Sequence, residues 1–161
     1  MKKRIVSLIV FMLMLFSFSS VFAAPDTLAP DAAGNFEALV VTTKPAGSSD
    51  MTFDNSYVIS GYGVVGTVVT IYSYNAESGL YEKIYKTVTT VGENGTTVSE
   101  KVPVSCVIGD STLFMATVNL NSGSNSFMLY AENGDMHQIA KFFVLKHNYN
   151  IMDVIRSWGT V

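Results

Sequence analysis

Short runs of β-branched and aromatic residues, each ended by turn-forming residues, recur along most of this chain. Thr67–Tyr74 is the clearest run, because every residue in it suits a strand, and Asn75–Gly79 then turns the chain. Asn94-Gly95 and Glu132–Asp135 are further hairpin turns. The pattern predicts about seven or eight short strands, about 8–12 residues apart, which is typical of an antiparallel β-sandwich. No helical pattern of the length that a βαβ unit needs separates them, so the predicted fold class is all-β.

The start of the chain has the pattern of a secretory signal peptide, predicted over residues 1–24. Lys2–Arg4 are positive, Ile5–Phe18 is an almost unbroken apolar run, and Val21-Phe22-Ala23 resembles the end of a cleavage site. Cleavage is expected after Ala23 or Ala24. An uncleaved anchor is the alternative, because a spanning helix needs about 20 apolar residues. Either outcome places the remaining chain outside the cytoplasm, secreted or associated with the cell envelope.

The charge balance limits the partners. Loss of residues 1–24 removes three of the 10 basic residues and none of the 13 acidic ones, so the net charge changes from −3 to −6. An acidic exported domain repels polyanions, which argues against a nucleic-acid ligand, and membrane contact is expected only through an uncleaved signal segment. The single Cys excludes a disulfide framework and a cysteine-based zinc site. No metal or cofactor is predicted.

Beyond the leader, the chain divides into three parts. Residues 25–37 are rich in Pro and Ala and lack periodicity, which predicts a flexible tether. Residues 38–147 hold the strand pattern of the sandwich. Residues 148–161 form an amphipathic tail, in which a short helix is expected to close one end of the sandwich or to dock on a partner. The apolar residues of the tail fall at helical spacing; they are Ile151, Val154, Ile155 and Trp158.

Two stretches carry a resemblance to a known family. Tyr57–Tyr72 holds the sequence Ile-Ser-Gly-x-Gly and then Gly-Thr-x-Val-x-Ile, and Leu113–Ala131 holds a strand, a Gly-x-Asn turn and a second strand. In this order the motifs resemble bacterial immunoglobulin-like domains of exported and cell-surface proteins. The resemblance implies an immunoglobulin-like antiparallel sandwich over residues 38–146. The stretch between Gly92 and Thr112 is longer than the family pattern needs, so its strand pairing is left open.

Few residues suggest catalysis. His137 and His147 are the only histidines, and with Asp135 they offer a weak metal set, whereas exposed positions at strand ends are the ordinary alternative. Cys106 lies in an apolar stretch, so a small core residue is favoured over a nucleophile. The chain is therefore predicted not to be an enzyme, and a small hydrolase is the weakest hypothesis.

Four tyrosines near one hairpin are the candidate ligand-binding residues. Such side chains stack on sugars or anchor a protein contact, whereas cross-strand pairing within the sheet is the alternative. They are Tyr72, Tyr74, Tyr81 and Tyr85. The predicted function is an exported, non-catalytic binding or adhesion module for a protein or a cell-surface polysaccharide. The alternative is a structural or assembly subunit of an extracellular or envelope complex, joined through an edge strand or through the tail.

Overall fold

The structure, a computed structural model, describes residues 24–91 and 96–148. These residues contain twelve β-strands and no helix, which confirms the all-β class. The signal segment, the hairpin turn at Asn94-Gly95 and the predicted tail helix lie outside them. No helix of the described part is long and apolar enough to cross a membrane.

The strands form two sheets and a separate two-stranded ribbon. In chain order they are β1 (Thr27–Leu28), β2 (Val40–Lys44), β3 (Ser49–Thr52), β4 (Ser56–Gly63), β5 (Val68–Asn75), β6 (Leu80–Lys83), β7 (Tyr85–Val91), β8 (Thr97–Pro103), β9 (Ser105–Val107), β10 (Leu113–Asn119), β11 (Gly123–Asn133) and β12 (Met136–Lys146). The large sheet has the order β1-β6-β5-β11-β12-β3, and β9 also pairs with β5. The small sheet has the order β10-β4-β2, and β7 pairs with β8 in the ribbon. All pairings are antiparallel except that of β3 with β12.

The main core lies between the two sheets. In β10 the side chains alternate between exposed and buried, because successive residues of a strand point to opposite faces. The buried face of the small sheet meets inward side chains of the large sheet, so the two sheets pack as a sandwich. The strand residues at this contact include Tyr57, Ile59, Val69, Ile71, Phe114, Ala116, Val118, Phe127, Leu129, Phe142 and Val144.

A glycine allows two strands of the small sheet to approach closely. A Cβ atom built on Gly61 would lie 2.1 Å from the carbonyl oxygen of Val41 on β2 and 2.7 Å from the ring of Phe114 on β10. No larger residue fits between these neighbours without moving the backbone. Gly61 therefore fixes the position of β4 between β2 and β10.

A second apolar cluster lies on the opposite face of the large sheet. Leu28 on β1 packs there with Tyr72, Tyr81 and Met128, and all four side chains are buried. The segment 24–36, where the sequence predicts a tether, supplies this cover, and β1 pairs with β6. The lack of periodicity predicts the tether, whereas in the structure Leu28, backbone hydrogen bonds and side-chain hydrogen bonds from Tyr72, Lys83 and Lys141 hold the segment.

The structure also gives the pairing that the sequence leaves open. The expected strand Leu80–Val91 is divided at Ile84, where β6 leaves the large sheet and continues as β7. The amide of Ile84 donates to the carbonyl of Ile71, and the amide of Val104 donates to the carbonyl of Ile84. The chain therefore leaves the sheet as the ribbon and returns through β9 to β5.

Candidate interaction surfaces

The four predicted tyrosines do not form one exposed platform. Tyr72 is fully buried, and its hydroxyl donates to the carbonyl of Pro25 at 2.5 Å. Tyr81 is also buried, and its hydroxyl lies 2.7 Å from that of Ser126. Tyr74 and Tyr85 are exposed. Because Tyr74 and Tyr81 are directly opposed, with ring centroids 5.3 Å apart, they form the cross-strand pair considered as the alternative.

The outer face of the small sheet carries a row of exposed apolar side chains. Val41, Tyr62 and Leu113 are directly opposed on β2, β4 and β10, so they form one continuous row across the sheet. Met115 lies two residues from Leu113 on the same face of β10. Their exposed fractions are 46%, 48%, 63% and 68% in the order Val41, Tyr62, Leu113 and Met115. These four residues are called the apolar row below.

The two outer faces of the sandwich differ. The segment 24–36 covers Tyr72, Tyr81 and Met128 on the outer face of the large sheet, although apolar side chains of β12 and β3 stay exposed on that face. No strand of the described part covers the apolar row. Single exposed apolar side chains are ordinary on protein surfaces, but contiguous ones mark contact sites. Met and Tyr are also enriched in protein interfaces. The outer face of the small sheet is therefore the best candidate contact surface.

The two edges of the small sheet are also different. At the β2 edge, the side-chain amide of Gln138 donates to the Val40 carbonyl at 3.0 Å and accepts from the Val40 amide at 2.8 Å. Gln138 thus takes the place of a neighbouring strand. At the other edge, β10 pairs with no second strand of the described part, although β9 lies close to it and Cys106 is hydrogen-bonded to the Met115 backbone. Such an edge is a site for strand addition only where its backbone groups are free.

The ribbon extends away from both sheets. Every residue of β7 is exposed, and Val88, Val91 and Val98 are its exposed aliphatic side chains. A two-stranded hairpin is only marginally stable without a further strand or a packing surface. This ribbon is therefore a second candidate contact surface.

A polar cleft lies at one end of the sandwich, where β10 ends and β11 begins. It has a volume of about 430 Å³, and its lining includes Asn119, Asn121, Ser124 and Tyr74. Amides, hydroxyls and an aromatic ring are the groups that bind neutral sugars. Asn125 also lines the cleft, but its side chain is buried and bonds to backbone groups on both sides of the turn, so it keeps few free hydrogen-bonding positions.

The residues considered for catalysis are not brought together. His137 stacks on Tyr130 at 5.8 Å, whereas His147 lies beside Phe53 at the far end of β12. Among residues 24–91 and 96–148, no three His, Cys, Asp or Glu side chains are placed to hold a metal ion. Cys106 is half-buried against the core, and desolvation raises the pKa of its thiol, which disfavours the nucleophilic thiolate.

Comparison of the chain with protein-family models and with curated protein sequences gave no match.

Proposed function

We propose that residues 38–147 form an immunoglobulin-like sandwich that acts as an exported, non-catalytic binding module. The strand order supports this proposal. β2, β4 and β10 lie in one sheet and β5, β11 and β12 in the other, and the chain crosses between the sheets from β4 to β5 and from β10 to β11. Such crossings are typical of Greek-key sandwiches of the immunoglobulin class. The ribbon is an insertion between β6 and β9, and it accounts for the extra length between Gly92 and Thr112.

The apolar row is the observation that carries the binding proposal. A row of Val, Tyr, Leu and Met side chains excludes water well but offers few hydrogen bonds, so it suits a protein partner better than a polysaccharide. The partner is expected to present an apolar surface to Leu113 and Met115, with Tyr62 as the aromatic anchor. The export predicted from residues 1–24 places that partner at the cell surface or in the surrounding medium.

Paired variants test this proposal. The mature chain, starting at Ala24, is immobilised and exposed to surface proteins of the producing cells. The variant Leu113→Glu places a charge in the apolar row, whereas Met51→Glu alters an equally exposed residue on β3, whose exposed fraction is 66%. We expect Leu113→Glu to lose the bound protein and Met51→Glu to keep it. Equal capture by both variants, or a chain found in the cytoplasm, would contradict the proposal.

The ribbon favours the second candidate function, an assembly subunit. Its exposed valines and its isolation from both sheets suit pairing with a second copy or with another subunit. Analytical ultracentrifugation at increasing concentration distinguishes the two functions. A concentration-dependent assembly that is lost in Val98→Lys supports the subunit, whereas a monomer at all concentrations supports the simple binding module.

The polar cleft provides a sugar-binding alternative within the same class of function. A glycan array with the mature chain and an Asn121→Ala variant tests it. Binding that depends on Asn121 would move the ligand from protein to polysaccharide, while a chain that binds no glycan supports the protein partner.

A further inference from the structure

A buried carboxylate on the outer face of the large sheet lacks a full counter-charge. Glu132 lies on β11, opposite Val68 of β5 and His137 of β12, and only 8% of its surface is exposed. Burial raises the pKa of this carboxyl group, and Lys83, the Ala24 amide and His137 only partly oppose the shift. A carboxylate in such a position is costly unless an adjacent positive charge compensates for desolvation.

The backbone of Ala24 is held against this carboxylate. Its N–H donates to Glu132, and its carbonyl accepts from the Lys83 ammonium at 2.6 Å. The next two residues are fixed as well, because the Pro25 carbonyl accepts from Tyr72 and the Asp26 carbonyl accepts from the Lys83 amide at 3.0 Å. Ala24 itself is buried. Three successive residues are thus positioned so that the nitrogen of Ala24 meets Glu132.

The same nitrogen belongs to the peptide bond at which the leader is expected to be cut. Val21 and Ala23 place short side chains three residues and one residue before the Ala23–Ala24 bond. Hydrolysis of that bond adds water, leaves a carboxylate on Ala23, and leaves Ala24 with an amine that takes up a proton. An α-amino group has a pKa of about 8, so it is positively charged at neutral pH.

We infer that Glu132 is the built-in acceptor for the α-ammonium group that signal-peptide removal creates at Ala24. Cleavage replaces a neutral N–H donor by a charged one beside a buried carboxylate that Lys83 and His137 compensate only in part. Processing therefore tightens the cover of segment 24–36 over the large sheet. The inference rests on the export that the proposed function requires. Cleavage after Ala24 would instead leave Pro25 as the first residue, with no nitrogen at this position.

Chains with defined first residues test the ion pair without any cell. Chains starting at Ala24 are prepared with a free or an acetylated amino group, since the acetyl group keeps the N–H donor and removes the charge. Both forms are made with Glu132 and with Glu132→Gln. We expect the free chain to melt about 5 °C above the acetylated one with Glu132, and at nearly the same temperature with Glu132→Gln.

The pH dependence gives a second readout. A paired ammonium has a raised pKa in the folded state, so its contribution is complete at neutral pH and is lost as the pH rises through that pKa, above about 8. Other titratable groups near the pair are Lys83, Asp26, His137, Tyr72, Tyr85 and Tyr130. Because they are common to the free and acetylated chains, the difference between those chains isolates the α-ammonium.

Two results of the melting experiment would overturn the inference. If the free and acetylated chains with Glu132 melt at the same temperature, the charge of the amino group has no effect on stability. If the difference in melting temperature is as large with Glu132→Gln as with Glu132, another group pairs with the ammonium. Should Glu132→Gln fail to fold, the pH dependence of the difference between the free and acetylated chains decides. Its loss above pH 8 supports the ion pair, and a pH-independent difference refutes it.

Amino-terminal sequencing of the exported chain separately tests processing. Ala24 as the first residue supports the inference, whereas Pro25 as the first residue or an uncut, cytoplasmic chain contradicts the processing on which the inference rests.

Discussion

Leu28 is the residue that tests whether the segment 24–36 is a structural part of the domain. It lies on β1, only 9% of its surface is exposed, and it packs with Tyr72, Tyr81 and Met128. Replacement of a buried Leu by Ala costs about 2–5 kcal/mol of unfolding free energy. Because β1 has two residues and lies at the margin of the sheet, we expect the lower end for Leu28→Ala, about 2 kcal/mol.

The adjacent residue provides the matched control. Thr27 lies on the same short strand with an exposed side chain, so Thr27→Ala is expected to change the unfolding free energy by less than about 0.5 kcal/mol. Urea unfolding of the chain starting at Ala24, followed by far-ultraviolet circular dichroism, measures both variants. A cost of about 2 kcal/mol corresponds to a roughly 30-fold change in the unfolding equilibrium. Equal and negligible effects of the two variants would show that the segment 24–36 does not stabilise the domain and is the flexible tether that the sequence predicts.

Three further predictions concern the sandwich, and urea unfolding measures each of them. Gly61→Ala is expected to cost at least about 3 kcal/mol, because its Cβ would overlap a carbonyl oxygen of β2, whereas Gly47→Ala, which meets nothing within 4 Å, should be nearly neutral; equal costs would contradict the close approach. Tyr57→Phe removes the hydrogen bond that lowers the pKa of Asp50, so we expect it to reduce the unfolding free energy by about 1 kcal/mol at pH 7. This loss should vanish as the pH falls below about 4 and Asp50 takes up a proton, and a pH-independent loss would contradict the role of the Asp50 carboxylate. Asn125→Ala should cost about 2–3 kcal/mol, since it leaves buried backbone groups unsatisfied, and a neutral result would show that water replaces the amide.

Much of the sandwich follows from local sequence pattern. The run Thr67–Tyr74 becomes β5, and the turn Glu132–Asp135 joins β11 to β12, because β-branched residues and turn residues act locally. The break at Ile84 could not be predicted in this way. Residues on both sides of it suit a strand, and the division depends on hydrogen bonds to Ile71 and Val104, which are distant in sequence.

The burial of Tyr72 and Tyr81 could not be predicted from the strand pattern for a related reason. Alternation shows that Tyr72 and Tyr74 share a face of β5, but it does not show what covers that face. The cover comes from the segment 24–36, which has no periodicity and contributes one large apolar side chain, Leu28, to the buried cluster. The sequence did hold one signal, because the residues from Val69 to Tyr72 are β-branched or aromatic throughout, as expected for a strand that is covered on both faces. In the structure these four consecutive residues are all buried.

The candidate contact surface could be predicted only in part. The strand pattern predicts that residues alternate between core and surface, and β10 shows this alternation. The pattern does not predict the row formed by Val41, Tyr62 and Leu113, because the row depends on strand register, which is set by pairing between distant segments. The role that we propose for Glu132 could not be predicted from the sequence either. It depends on the approach in space of Glu132 to a predicted cleavage point that lies more than a hundred residues earlier in the chain.

The most direct test of the binding proposal is a comparison of two methionine methyl groups. Met115 lies in the apolar row and Met51 on β3, and both are about two-thirds exposed. The chain starting at Ala24 is labelled at its methionine methyl groups and titrated with the protein captured from the cell surface. The binding proposal predicts that the Met115 resonance shifts or broadens as the partner is added while the Met51 resonance does not. A bound complex that leaves Met115 unchanged would contradict the assignment of the apolar row as the contact surface.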